Sequence, residues 1–401
     1  MKPTFYSPRA TQSVENWEAD PLSPQLFPFA RAVISEADAR HPADLVLRAK
    51  LKGAREISRW DARAVSRAVF TFYRWRGWLD ASQPLAAQLK YALELAANFE
   101  ARPQTFSDQH LIERTVPAWI QQEMEVTPRW ARSLQREPKL WMRARRGQGR
   151  ALAEALGECW LPDDPAFADA VAFEGKEDLF RSPEFQAGEF EVQDVASQAV
   201  GLLCDPQPGE TWWDACAGEG GKTLHLSDLM QNKGLIWASD RAAWRLKHLK
   251  LRAGRARCFN YRPAAWEGGA KLPTKTKFDG VLVDAPCSGV GTWQRNPHAR
   301  WTTTTNDVAE LAQVQTTLLK NAATAVKPGG KLFYSVCTLT RAETDAVADA
   351  FSQASPEFEP LSLAAVTDVA GKKIPGANGR LTIWPHQLDG NGMFIAVWQR
   401  R

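Results

Sequence analysis

No stretch of the 401 residues approaches the ~18 consecutive apolar residues that a membrane-spanning helix needs. The opening run, "MKPTFYSPRATQSVENWEAD", lacks the basic-then-apolar layout of a secretory leader. Cysteine is sparse. Cys159, Cys204, Cys216, Cys258, Cys287 and Cys337 are scattered without a C-x-x-C pair, and the six histidines are equally dispersed. This spacing argues against a disulfide framework or a zinc site, so no metal and a reducing, cytoplasmic setting are expected. Internal repeats and low-complexity tracts are also missing. What is present is ordinary for a globular chain: 44% hydrophobic and 24% charged residues, at a length that allows two or three domains.

Charge is distributed unevenly. Residues 1–150 carry a net +8, residues 151–200 a net −10 and residues 201–401 a net +6. Arg129 to Arg150 holds eight basic residues and one acid, Glu137, while Arg241 to Arg262 holds eight and no acid. Either run alone reads as a solvated helical face. Two together, with Trp130, Trp141 and Trp244 among them, tilt towards a polyanion such as RNA.

Along the chain, residues 26 to about 120 read as helical. Ala64, Val65, Ala68, Val69 and Phe72 recur at helical spacing between basic residues. A breaker-rich acidic stretch follows and predicts loops and short strands. From about residue 200 short apolar runs alternate with helix-like segments: "TWWDACAG", "LIWASD", "DGVLVDAP", "KLFYSVCT" and "MFIAVWQ". That alternation predicts a parallel sheet covered on both faces, with ligands beyond the carboxyl ends of its strands.

The first such end is "DACAGEGGKT", where Gly218, Gly220 and Gly221 permit a sharp turn ahead of a helix N-terminus. It is not a phosphate-binding G-x-x-x-x-G-K-[ST] loop, because Cys216 stands where the first glycine is required. The second end is Asp240, about 20 residues on, an interval suited to an acid that binds ribose hydroxyls. Together they favour a nucleoside-bearing cofactor, either a nicotinamide dinucleotide or S-adenosylmethionine. The third glycine falls at 221 rather than 223, which counts against the dinucleotide. The third and fourth ends carry Asp284 with Cys287, and Cys337. A lone strand-end cysteine is usually a small buried hydrophobe. Two at one sheet edge beside a cofactor turn suggest chemistry. No histidine adjoins either in sequence, although His298 lies in the same region of the chain.

These motifs, "DACAGEGGKT", "ASD", "DAPCSGVGTWQRNPHARW" and "YSVCTLTRAETDAV", taken in order, resemble the RsmB/Nop/Sun family of RNA cytosine-5 methyltransferases. "FEVQDVASQAV" and "RLTIWPHQLDGNGMFIAVW" are similar to the segments that precede and close that pattern, so the resemblance spans about 190 to 398. "VPAWI" and "PKLWMRARR" resemble the small upstream module, and "HPADLVLRAKLKGAREISRWDARAVSRAVFTFYR" the NusB-like domain of the RsmB branch. The resemblance implies an α/β fold: a Rossmann-like class I methyltransferase domain over 189–401 with a mainly parallel sheet. It also implies a helical NusB-like domain over 1–125 and a small α+β RNA-binding module over 126–188.

By the same resemblance the cofactor is S-adenosylmethionine, held by Cys216, Ala217, Gly218, Glu219, Gly220, Gly221 and Lys222, with Asp240 on the ribose. Lys222 is expected to pair with the methionine carboxylate. Carbon 5 of cytosine is a poor nucleophile until a thiolate adds at carbon 6, which is covalent catalysis. The resemblance makes Cys337 that nucleophile, Cys287 the thiol that aids product release, and Asp284 the group that holds the cytosine and also touches the cofactor. From this chain alone the two thiol roles are interchangeable. Arg295, Arg300 and Trp301 are expected to grip a flipped-out nucleotide. Where relatives have an adenine-side aspartate, "CFNYRPAAW" offers Asn260 or Tyr261. The expected partner is ribosomal RNA, acted on by a monomer. The alternatives are transfer RNA, a non-catalytic ribosome-assembly factor that kept the fold, and a nicotinamide oxidoreductase.

Overall fold

In a computed structural model, which describes residues 4–6, 22–54 and 57–401, the chain divides into two compact units. Apart from Thr4–Tyr6, the opening run read for a leader pattern lies outside the described residues.

One unit is helical and comprises residues 12–138 with 292–307. Helices Phe27–Glu36, Ala43–Gly53, Arg59–Trp75 and Leu85–Ala101 form its centre. Ser58 starts the third by accepting the Asp61 amide at 3.1 Å. Its face of Val65, Ala68, Val69 and Phe72 enters the core with Val33, Val46 and Leu89. The helical reading of this region therefore holds, but its edges differ from the expected domain limits. Residues 126–138 and 292–307 pack with the helices because two tryptophans, Trp130 and Trp293, stack there at 6.3 Å.

The other unit contains two sheets. The smaller has five antiparallel strands, β1 (Thr4–Tyr6), β2 (Leu140–Ala144), β3 (Cys159–Leu161), β4 (Ala170–Phe173) and β5 (Phe190–Val192), in the order β1-β3-β4-β2-β5. One face shares a core with the larger sheet, through Trp141, Trp160 and Phe167 against Val195, Ala199 and Ile395. Buried ion pairs join them as well. Glu191 on β5 holds Arg252 at 2.8 Å and Arg255 at 2.5 Å, and Asp228 holds Arg143 at 2.9 Å. Three of the sixteen basic residues in those two runs, Arg143, Arg252 and Arg255, are thus used to join modules.

The larger sheet is formed by β6 (Thr211–Asp214), β7 (Leu235–Asp240), β8 (Tyr261–Ala265), β9 (Phe278–Asp284), β10 (Val326–Val336), β11 (Phe358–Pro360), β12 (Gly376–Ala377), β13 (Arg380–Ile383) and β14 (Met393–Arg400). Its order is β12-β13-β14-β10-β9-β6-β7-β8, with β11 on β14. The five strands from β8 to β10 are parallel, and β14 returns antiparallel to β10. Trp213, Val281, Val283 and Tyr334 alternate into one face and Trp212, Leu282 and Phe333 into the other, the two-sided burial of a covered sheet. Strand order reverses between β6 and β9. In open α/β sheets the crevice beyond such neighbouring carboxyl ends is where ligands bind. This is the covered parallel sheet that the alternating pattern predicts, in the Rossmann-like arrangement that the resemblance implies.

Candidate active site

Register brings the informative residues to one edge. Asp214 at the end of β6 lies beside Leu282 of β9, and Asp284 two residues later pairs with Ser335 of β10. The β6 strand then turns through glycines. Gly220 has φ +90°, and a Cβ on it would sit 2.7 Å from Leu249 Cγ, so both conformation and space require glycine. Gly218 has φ +55°, and a Cβ there would meet nothing within 4 Å. Its amide donates to Asp240 Oδ2 at 3.0 Å, which ties the turn to the end of β7. Asp240 also accepts the Ala242 amide at 2.7 Å.

A chain of polar contacts runs from the turn to the thiols. Lys222, in the first turn of helix Gly221–Leu229, reaches Asp284 Oδ2 at 2.7 Å. Burial opposes the lysine charge, yet the Asp284 carboxylate holds its pKa above the usual value. Ser335 donates to the other Asp284 oxygen at 2.8 Å. Two residues on, Cys337 Sγ lies 3.3 Å from Cys287 Sγ, so one sulfur donates to the other. Both are part-buried. The hydrogen bond between them lowers Cys337 and raises Cys287; Lys222 adds to the first effect and the Glu343 charge to the second. Cys337 is therefore the readier thiolate. Below the turn, Asp214 is fully buried, and desolvation pushes its carboxyl up to about 7. One of its oxygens accepts from Thr223 at 2.6 Å while the other has no partner.

Residues 201–399 match the family model for the 16S rRNA methyltransferases RsmB/F. Through these residues, the chain belongs to the RsmB/Nop/Sun family. A probable ribosomal RNA small subunit methyltransferase B of Synechocystis sp. is 41% identical over 221 residues, covering 53% of this chain and 48% of that protein. The chain spans about half the length of such curated relatives. The crystal structure of PH0851 has a TM-score of 0.74 at 23% identity, covering 94% of this chain and 99% of that one. NSun6 from Pyrococcus horikoshii, solved with SFG, has a TM-score of 0.56 at 18% identity, covering 68% and 93%. At these identities the two structures establish a shared fold.

For this RsmB/Nop/Sun member, several expected site residues lie elsewhere. Lys222 is given to Asp284, where a cofactor carboxylate was expected. Asn260 and Tyr261 stand at the start of β8, the far end from Asp240, and Asn260 accepts from Ser227 at 2.6 Å. The residue beside Asp240 at the proper end is Ala265, followed by Trp266, whose amide donates to the Asp240 carbonyl at 3.3 Å. Arg300 is fully buried in the helical unit, its guanidinium bonded to the carbonyls of Arg74, Thr115, Leu134 and Trp293. It has no surface to offer a phosphate. Trp301 is half-buried in that unit and donates its indole N–H to Tyr73 at 2.7 Å. His298 is buried there too, edge-on to Tyr73. Arg295 is part-buried in the same unit. No group of three or more potential metal ligands occurs among the described residues. A cavity of about 570 Å³ in the two-sheet unit is lined by Trp141, Trp160, Phe167 and Asp389, and none of the expected site residues lines it. Sequence reasoning missed Ser335, Ser288, Gln315 and Glu343. Ser335, Ser288 and Glu343 had no signal beyond membership of the quoted motifs, and Gln315 lay outside them.

Proposed function

We propose that the protein is an S-adenosylmethionine-dependent RNA cytosine-5 methyltransferase acting on ribosomal RNA, with Cys337 as nucleophile and Cys287 as the second thiol. The 3.3 Å contact between the two sulfurs carries this reading, because it occurs at the same strand edge as the glycine turn. The name of the Synechocystis relative supports ribosomal RNA as the substrate class. The presence of SFG, an S-adenosylmethionine analogue, in NSun6 supports the cofactor.

The turn suits such a cofactor. Open space lies over Gly218, Gly220 keeps the backbone folded tightly, and Asp240 closes the next strand. Residues Cys216 to Gly221 would hold the methionine end, with Asp240 at the ribose and Lys222 engaged by Asp284. When bound, S-adenosylmethionine supplies an electrophilic methyl group.

The chain's own residues supply the rest. The Cys337 thiolate adds to carbon 6 of the cytosine, which makes carbon 5 nucleophilic. Asp284, steadied by Lys222 and Ser335, keeps an exposed edge with which to hold the base. After methylation, Cys287 passes its proton to the departing Cys337 sulfur across their 3.3 Å contact and takes up the proton that carbon 5 releases, so the C5–C6 double bond re-forms as the carbon–sulfur bond breaks. Cys287, kept protonated, assists that elimination. Arg295 is retained as a proposed RNA contact.

Mapping 5-methylcytosine in RNA from cells with and without the protein tests this function. A site in small-subunit ribosomal RNA that loses its methyl group is expected. A loss confined to transfer RNA, or no change in any RNA, would overturn the assignment.

A further inference from the structure

Glu343 is fully buried, and its carboxylate gathers donors from both thiol-bearing segments. From the Cys287 side, Ser288 donates its amide to Oε1 at 2.9 Å and its hydroxyl to Oε2. From the Cys337 side, Thr340 donates to Oε2 at 2.8 Å and Thr338 at 3.2 Å. Gln315, on helix Thr305–Ala323, donates to Oε1 at 2.9 Å and to the Pro286 carbonyl at 2.9 Å. Tyr334 of β10 donates to the Glu343 main-chain carbonyl at 2.6 Å. Five donors converge on one carboxylate, and none of the ion pairs given for the described residues includes it.

A buried carboxylate is costly unless its lone pairs are filled. Apolar packing would hold these two segments together without that cost. The carboxylate adds two things that packing does not: fixed directions for the turn holding Cys287, and a negative charge beside that thiol.

We propose that Glu343 is a positioning residue that fixes the Pro286–Gly289 turn against the segment after Cys337 and assigns the two sulfurs different roles. Its charge disfavours a second anion at Cys287, so Cys287 stays the donor and Cys337 the acceptor of their contact. The other charged or titratable groups facing the pair are Asp284 from β9, Lys222 from helix Gly221–Leu229 and Tyr334 from β10. Lys222 favours a thiolate at Cys337, and Asp284 opposes it. Glu343 is the group that separates the two thiols from the Cys287 side. The roles so assigned rest on the proposed methyltransferase reading, but the asymmetry itself does not.

The test is alkylation of the full chain by iodoacetamide across pH, with labelling of each thiol followed by mass spectrometry. Neither RNA nor methyl donor is needed, so the result is independent of whether the proposed function holds. In the wild-type protein Cys337 should react at lower pH than Cys287. In Glu343→Gln the Cys287 profile should move down by about one pH unit, the scale of losing one nearby like charge. Glu343→Asp, which keeps the charge, should restore most of the separation. A folded Glu343→Gln protein with both profiles unchanged would overturn the proposal. If that variant fails to fold, Ser288→Ala decides. A change in the Cys287-to-Cys337 labelling ratio of about threefold, the weight of one net hydrogen bond, is expected, and an unchanged ratio would refute the role.

Discussion

Lys222 Nζ lies 2.7 Å from Asp284 Oδ2, joining the helix after the glycine turn to the strand that leads to Cys287. The two partners are unequally buried, with side-chain exposures of 9% and 29%. Removing one partner of a buried pair strands the other, and the cost follows the burial of the one left behind. Asp284→Asn should therefore destabilise by about 3 kcal/mol in urea unfolding, and Lys222→Met by clearly less. Equal losses would contradict this reading of the pair.

The glycine turn separates conformation from occupancy. Gly220→Ala puts a Cβ against Leu249 at positive φ, so it should lose stability through both strain and clash. Gly218→Ala meets no protein atom. It should cost only the left-handed backbone penalty, about 1–2 kcal/mol. Yet its methyl projects into the space proposed for S-adenosylmethionine. Calorimetric affinity for that ligand should fall about tenfold or more, equivalent to about 1.4 kcal/mol. Undiminished binding would place the cofactor elsewhere.

Asp214 makes a pH prediction. Burial raises its carboxyl from 3.8 to about 7, so between those values the folded chain binds more protons than the unfolded one. Stability from this group is present below pH 4 and is lost as pH rises towards 7. Asp214→Asn imitates the protonated form. Relative to wild type, it should gain on the order of 1–4 kcal/mol between pH 4 and pH 8. A difference that stays constant with pH would show that Asp214 is ionised throughout.

The parallel sheet and its four informative strand ends were legible because apolar runs, glycines and terminal acids are local features. Partnerships were not. Arg300 sits in a loop-like run of polar residues and reads as surface, but its guanidinium meets carbonyls from residues 74, 115, 134 and 293. Arg143, Arg252 and Arg255 belonged to runs that read as polyanion-binding, whereas Glu191 and Asp228 use them across 61 to 85 residues of chain. Asn260 and Tyr261 stand one strand length from the Asp240 end, because β8 begins there, and the quoted run alone does not show where its strand starts. Glu343 was invisible for a different reason. Its carboxylate's donors come from three segments, at Ser288, Gln315 and Thr338–Thr340, that only the fold assembles.

The central claim is that two sulfurs 3.3 Å apart act on one cytosine in different roles. The most direct measurement incubates Cys287→Ala and Cys337→Ala with ribosomal RNA and S-adenosylmethionine, then resolves protein–RNA adducts on a denaturing gel. The account predicts a stable covalent adduct for Cys287→Ala and none for Cys337→Ala. The reverse pattern, or no adduct from either variant, would contradict it.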